Sequence, residues 1–395
     1  MIAKRMGTVE YAIRDLVVFA QKLEKQGKKI IYLNIGDPLK YDFATPSCMA
    51  EALNKAVAAN HNYYSDSQGD MECRTAISER EKRLNNVNIS PDNIIITSGV
   101  SEAISFVASA LIEDGDEALV PGPSYPPYIS YIKFFGGKPV FYKTDESTEW
   151  KPDIDDIEKK INEKTKFILL INPNNPTGAV YDKKTVKEII NIAGQHNLPL
   201  ISDEVYDFLV FDGEFHSTAS IAEDVPIIGF NGFSKSSLAT GWRLGYMYFS
   251  NGLDELKESV LKLARIRLCA STPMQKAVLP SLRGDSQYEK DIKDMKAKLL
   301  VRRNLAWKRL NEIPNVSATK PSGAFYIFPK IDLNDVWKND KEFVIDLLNT
   351  ENVLVVNGSG FGDYGESHFR SVFLPHPDVL ENAFSKIERF MKART

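Results

Sequence analysis

Between about residues 90 and 250 the chain alternates short β-branched and apolar runs with helical periods, and this alternation constrains the fold more than any other feature. The runs are Ile94-Ile95-Ile96-Thr97, Ala118-Leu119-Val120, Phe167 to Ile171, Leu200-Ile201, Ile227 to Phe230 and Tyr246 to Phe249. Between them Ile104, Val107, Ala108 and Leu111, then Val186, Ile189, Ile190 and Ala193, recur at the spacing of a one-sided apolar helix face. The pattern predicts an α/β fold: a mainly parallel sheet sandwiched by helices.

After about residue 285 the texture changes. Tyr288 to Leu310 reads as a long charged helix with apolar positions Ile292, Met295, Leu299, Ala306 and Leu310. Ala324 to Phe328, Val353 to Val356 and His368 to Phe373 then read as strands, and Leu380, Phe384, Ile387 and Met391 as the apolar face of a last helix. A helix around Leu16, Ala20 and Leu23, stopped at Gly27, precedes an apolar run from Ile30 to Ile35 that suits packing on the C-terminal part. The expected layout is an N-terminal arm and part of a small domain over 1–45, a large αβα domain over 46–285 and a smaller α+β domain over 286–395. Two domains suit 395 residues at roughly 150 per domain.

Several classes drop out. The formal charge is −4, and 43% hydrophobic with 26% charged residues is ordinary for a folded chain, so neither nucleic acid nor an anionic membrane is the expected partner. Cys48, Cys73 and Cys269 include no C-x-x-C pair, which fits a reducing compartment. The start has charge but no apolar core after it, and no 18-residue apolar run follows. A cytoplasmic protein is expected. The five histidines lack ligand spacing, so no metal is expected, and a G-x-x-x-x-G-K-[ST] loop is missing. Gly358-Ser359-Gly360-Phe361-Gly362 has Asp363 where a dinucleotide loop needs glycine, and reads as a hinge or turn.

The remaining candidates follow strands, where open parallel sheets bind ligands. Asn172-Pro173-Asn174-Asn175-Pro176-Thr177-Gly178 is a rigid turn, with or without a ligand role. Asp203 follows Leu200-Ile201 and suits either a site acid or a helix cap. Ser234-Lys235 lies in a loop of small residues with Arg243 eight positions on; a solvated lysine is the plain alternative. Gly99-Val100-Ser101 opens a helix, where free N–H groups favour an anion; simple serine capping is the alternative.

Read together and in order, these motifs resemble the class I aminotransferases, the pyridoxal-phosphate (PLP) enzymes of fold type I. The matching segments are Leu33-Asn34-Ile35-Gly36, Tyr64 five residues before Gly69, Gly99-Val100-Ser101-Glu102, Pro123-Ser124-Tyr125-Pro126, Asn175-Pro176-Thr177-Gly178, Asp203-Glu204-Val205-Tyr206, Ser234-Lys235, Gly241-Trp242-Arg243-Leu244-Gly245 and Phe369-Arg370. They span nearly the whole chain. The resemblance implies that the large domain binds PLP, with Lys235 holding it as a Schiff base and then moving the proton. Asp203 would pair with the pyridine nitrogen, Tyr206 and Asn175 would hydrogen-bond the phenolic oxygen, and Tyr125 would stack on the ring. Val100, Ser101, Ser234 and Arg243 would hold the phosphate, with Tyr64 reaching in from a second subunit, which implies a homodimer with shared sites. Gly232 stands where relatives often carry a serine. Arg370 would bind the substrate α-carboxylate, assisted by Gly36 and Asn175.

Tyr11-Ala12-Ile13-Arg14 and Arg265-Ile266-Arg267-Leu268-Cys269-Ala270 resemble the alanine (glutamate–pyruvate) branch. The implied reaction moves an amino group between alanine or glutamate and pyruvate or 2-oxoglutarate, with Tyr11 and Arg14 at the substrate and Arg14 meeting the distal carboxylate of glutamate. An exposed helix arginine is the alternative for Arg14. Aspartate–oxaloacetate exchange, or a PLP lyase on the same scaffold, remains open.

Overall fold

A computed structural model describes residues 2–9, 12–333 and 336–394. Among these residues an eight-stranded sheet runs in the order Ile94–Thr97, Gly245–Phe249, Ile227–Gly232, Leu200–Asp203, Thr165–Ile171, Glu117–Gly122, Lys138–Asp145, Lys151–Pro152. From Ile227–Gly232 to Lys138–Asp145 all neighbours are parallel. Gly245–Phe249 is antiparallel to both its neighbours, and Lys151–Pro152 is antiparallel to Lys138–Asp145. The mainly parallel expectation holds for the centre.

Successive strand residues face opposite layers of helices. In Thr165–Ile171, Phe167, Leu169 and Ile171 belong to one buried cluster with Ile104 and Val107, whereas Ile168 and Leu170 belong to another with Val186 and Ile189. The two helical periods read from the sequence are the helices Val100–Leu111 and Lys183–Gln195. Their apolar stripes cover opposite faces of the sheet.

Two expected strands need correction, and one long strand of the sheet had no counterpart in the sequence reading. Lys138–Asp145 lies outside the expectations; its Lys138, Lys143, Thr144 and Asp145, with Pro139, break up the apolar run that marks the other strands. Val353 to Val356 is not one strand: Val353–Leu354 pairs in parallel with Ile31–Tyr32, and Val356–Asn357 pairs antiparallel with Phe369–Val372. One apolar run serves two partners because the chain changes sheets within it. Ala324 to Phe328 shrinks to the strand Tyr326–Ile327, although all five of its residues are buried, and the apolar run Ile30 to Ile35 holds the short strand Ile31–Tyr32. Burial alone does not distinguish a strand from packed irregular chain.

The long helix is Ser286–Glu312, capped by Asp285, whose carboxylate accepts the N–H groups of Gln287 and Tyr288. Arg302 Nη2 on it donates to both Asp42 carboxylate oxygens at 2.7 Å, and Arg303 meets Asp212 at 2.5 Å. No helix among the described residues is long and apolar enough to cross a membrane.

Candidate active site

The parallel strands end along one edge of the sheet. In register, Ile171 lies beside Asp203, Asp203 beside Phe230, and Gly232 beside Gly245, which itself lies beside Thr97. The reversed direction of Gly245–Phe249 explains why Arg243, eight residues after Lys235, returns to the same edge. A cavity of about 550 Å³ opens there. Its lining includes Gly36, Val100, Ser101, Tyr125, Asn175, Asp203, Tyr206, Ser234, Lys235, Arg243 and Arg370, with Arg14 at the margin. Tyr64 does not line it and is 79% exposed. Tyr11 lies outside the described residues.

Local chemistry places each group. Asn174 Oδ1 accepts the Thr177 N–H at 3.1 Å and its hydroxyl at 2.9 Å, closing the turn that presents Asn175. Gly99 begins the helix Val100–Leu111 with φ +81°, and no side chain caps it, so Ser101 is not the cap that plain reading allowed. A Cβ on Gly99 would lie 2.6 Å from Arg243 Nη2, which is why the guanidinium can lie against bare backbone.

Lys235 Nζ donates to the Gly36 carbonyl at 2.5 Å, and a Cβ on Gly36 would meet the Tyr326 hydroxyl at 2.2 Å. Burial pulls this ammonium down to about 8, reinforced by Arg370 and Arg243 and opposed by Asp37. Asp203 is not a helix cap: its Oδ2 accepts the Tyr128 hydroxyl at 2.8 Å and its Oδ1 the Val205 N–H at 3.2 Å. Its neighbour Glu204 accepts from the Ser202 hydroxyl and the Thr218 N–H instead. Tyr206 shares a 2.8 Å hydrogen bond with Tyr326, and burial holds its phenol well above the usual value, so it stays protonated.

Burial raises the Asp203 carboxyl to about 6, against the two hydrogen bonds. Its folded value exceeds the ordinary 3.8, so the stability it contributes is complete below about pH 4 and lost as pH rises through 6. The cofactor-free Asp203→Asn protein should therefore exceed wild type in stability at pH 7.5 by roughly 1–3 kcal/mol. At pH 4.5 the gap should narrow. Urea unfolding at both values checks this, and an equal gap at both would contradict it.

Arg370 is 1% exposed. Its Nη1 donates to Asn175 Oδ1 at 3.0 Å and its Nη2 to the Asn34 carbonyl at 2.5 Å, while the rings of Tyr326 and Phe361 lie 4.4 and 5.0 Å from its guanidinium carbon. Among the described residues no carboxylate pairs with it, and its Nε has no partner.

The sequence patterns gave no site role to Tyr128, Tyr326, Asp37 or Asn34, although Asn34 lies within the matched Leu33-Asn34-Ile35-Gly36. The spacing of Tyr128, three residues after Tyr125, was available as a helical signal but not its aim at Asp203.

A family model for aminotransferase class I and II matches residues 28–387. The chain belongs to that family. Glutamate-pyruvate aminotransferase AlaA of Escherichia coli K12 is 40% identical over 396 residues, covering 98% of this chain and 97% of its own. The solved structure of an alanine aminotransferase from Pyrococcus furiosus superposes with a TM-score of 0.97 at 56% identity, each chain wholly covered. Aromatic-amino-acid aminotransferase 2 of Thermococcus litoralis is 36% identical, covering 97% and 96%. This aminotransferase thus has the fold type I architecture of its structural relatives, and its family uses PLP.

The cavity fits that cofactor. A buried acid, a lysine with a lowered pKa, the protonated phenol of Tyr206 and a guanidinium beside an uncapped helix start surround one space. Among the described residues no cluster of three or more His, Cys, Asp or Glu could hold a metal ion.

Proposed function

We propose that this aminotransferase exchanges an amino group between alanine and 2-oxoglutarate, and between glutamate and pyruvate, with PLP bound at Lys235. The observation that carries the reading is Arg370: a buried guanidinium with no carboxylate partner among the described residues, facing the same cavity as Lys235. Burying an unpaired charge is costly, and a bound α-carboxylate offsets that cost with a bidentate contact. The names of the Escherichia coli and Pyrococcus relatives agree with this choice of substrates.

When bound, the cofactor supplies an aldehyde that bonds the lysine and a ring that takes up an electron pair. Lys235 Nζ, at about 8, is unprotonated in about a tenth of molecules at pH 7, against roughly one in three thousand for an ordinary lysine. That free amine can take the proton from the substrate Cα and return it to the carbon on the far side of the amino nitrogen, two bonds away. Asp203 would hold the ring nitrogen, with Tyr128 fixing the carboxylate. Tyr206 and Asn175 would donate to the phenolic oxygen, and Tyr125 would cover the ring. Val100, Ser101, Ser234 and Arg243 would hold the phosphate.

Arg14 is exposed at the cavity margin, where it would meet the distal carboxylate of glutamate. Arg14→Ala should raise KM for glutamate and 2-oxoglutarate by about tenfold and leave alanine and pyruvate within twofold. Equal losses for both pairs would remove the role. Tyr64 is taken to complete the phosphate site of a second protomer, making the working form a cytoplasmic homodimer. Residues 46–285 are taken as the cofactor-binding domain, with 1–45 and 286–395 forming the part that carries Arg370.

A panel of amino donors against pyruvate, 2-oxoglutarate and oxaloacetate tests the substrate choice. Alanine with 2-oxoglutarate and glutamate with pyruvate should lead, and aspartate should trail. Leadership by aromatic donors would overturn it.

A further inference from the structure

Arg267 ends the helix Asp254–Arg267 and has no part in the reaction described so far. Its Nη1 meets Glu102 Oε2 at 2.6 Å, with both side chains about 15% exposed, and its Nη2 donates to the carbonyls of Ser67 at 3.1 Å and Ile96 at 3.2 Å. Glu102 lies in the first turn of Val100–Leu111, and the same Oε2 accepts the Ser98 N–H at 2.8 Å. The Ser98 carbonyl in turn accepts from Arg243 Nη2 at 3.5 Å. One ion pair therefore grips both sides of Gly99, where the chain turns from strand into the cavity-lining helix. It also grips Ser67, three residues after Tyr64, in a segment that Thr272 holds through the Tyr63 carbonyl and the Ser65 N–H.

Glu102 is a carboxylate beside the place where a phosphate would bind. Alone it would repel the dianion. Resting on the PLP reading above, we propose that Glu102 and Arg267 are a positioning pair for the cofactor phosphate. Glu102 sets the Ser98–Ser101 backbone, while Arg267 cancels the Glu102 charge and ties this cradle to the Tyr64 segment. Neither residue touches the phosphate.

The test compares PLP with pyridoxal, which lacks the phosphate, by equilibrium binding to the cofactor-free full chain. Arg267→Met, which leaves Glu102 unpaired, should weaken PLP by about tenfold or more and leave pyridoxal within twofold. Inorganic phosphate should compete less well with PLP in this variant. The double variant Glu102→Gln/Arg267→Met should bind PLP more tightly than Arg267→Met. Glu102→Gln alone keeps an acceptor for Ser98 without the charge and should bind PLP at least as tightly as wild type, which provides a reading should Arg267→Met not fold. Equal weakening of PLP and pyridoxal, unchanged PLP binding in Arg267→Met, no gain in the double variant, or looser PLP binding in Glu102→Gln would overturn the pair. Wild type that takes up no PLP at Lys235 would instead overturn the cofactor reading itself.

Discussion

Lys235→Ala should lower amino transfer at least about 10⁴-fold, because in the proposed function one amine would both tether the cofactor and carry the proton. The strand Ile227–Gly232 delivers Lys235 to the sheet edge, and the Gly36 carbonyl receives its Nζ. Among the described residues no other lysine lines the cavity. The variant should still bind PLP through ring and phosphate contacts, so loss of activity with retained binding separates a chemical role from a structural one. Single-turnover absorbance with alanine measures both. A variant retaining more than about a hundredth of the wild-type rate would contradict the assignment.

Arg370→Lys should lower kcat/KM for amino acids by about 10²- to 10³-fold while leaving PLP absorbance intact. The guanidinium is planar, lies over Tyr326, and is oriented by Asn175 and the Asn34 carbonyl so that its fork can meet both oxygens of a carboxylate. An ammonium keeps the charge but offers neither the fork nor the stacking. A primary amine lacking a carboxylate should react equally slowly with both proteins, which ties the loss to that group. Unchanged kcat/KM for alanine would remove Arg370 from the substrate site.

Much of this was legible in the sequence because the sheet announces itself. Buried parallel strands are apolar throughout, and each is followed directly by its site residue: Asn175 after Ile171, Asp203 at the end of Leu200–Asp203, Lys235 after Gly232. The strand Lys138–Asp145, next to the short edge strand Lys151–Pro152, escaped because Lys138, Lys143, Thr144 and Asp145 leave it no long apolar run. The split of Val353 to Val356 escaped because its two pairing partners are distant in sequence. Within the site, groups proposed to act on the cofactor or substrate belong to local motifs. Groups that hold those residues do not: Tyr128 reaches Asp203 across 75 positions, Arg370 reaches the Asn34 carbonyl across 336, and Arg267 reaches Glu102 across 165. Such contacts depend on tertiary packing, which no local spacing encodes. Arg14 was equally open before and after folding, since exposure at a cavity margin fits both a surface residue and a substrate contact.

The most direct measurement is to incubate the purified chain with PLP, reduce with borohydride, digest and locate the added mass by peptide mapping. A single label on the peptide containing Lys235, prevented when alanine first converts the cofactor to its amine form, is the expected result. A protein that stays colourless, or a label spread over surface lysines with none at position 235, would contradict the account at its root.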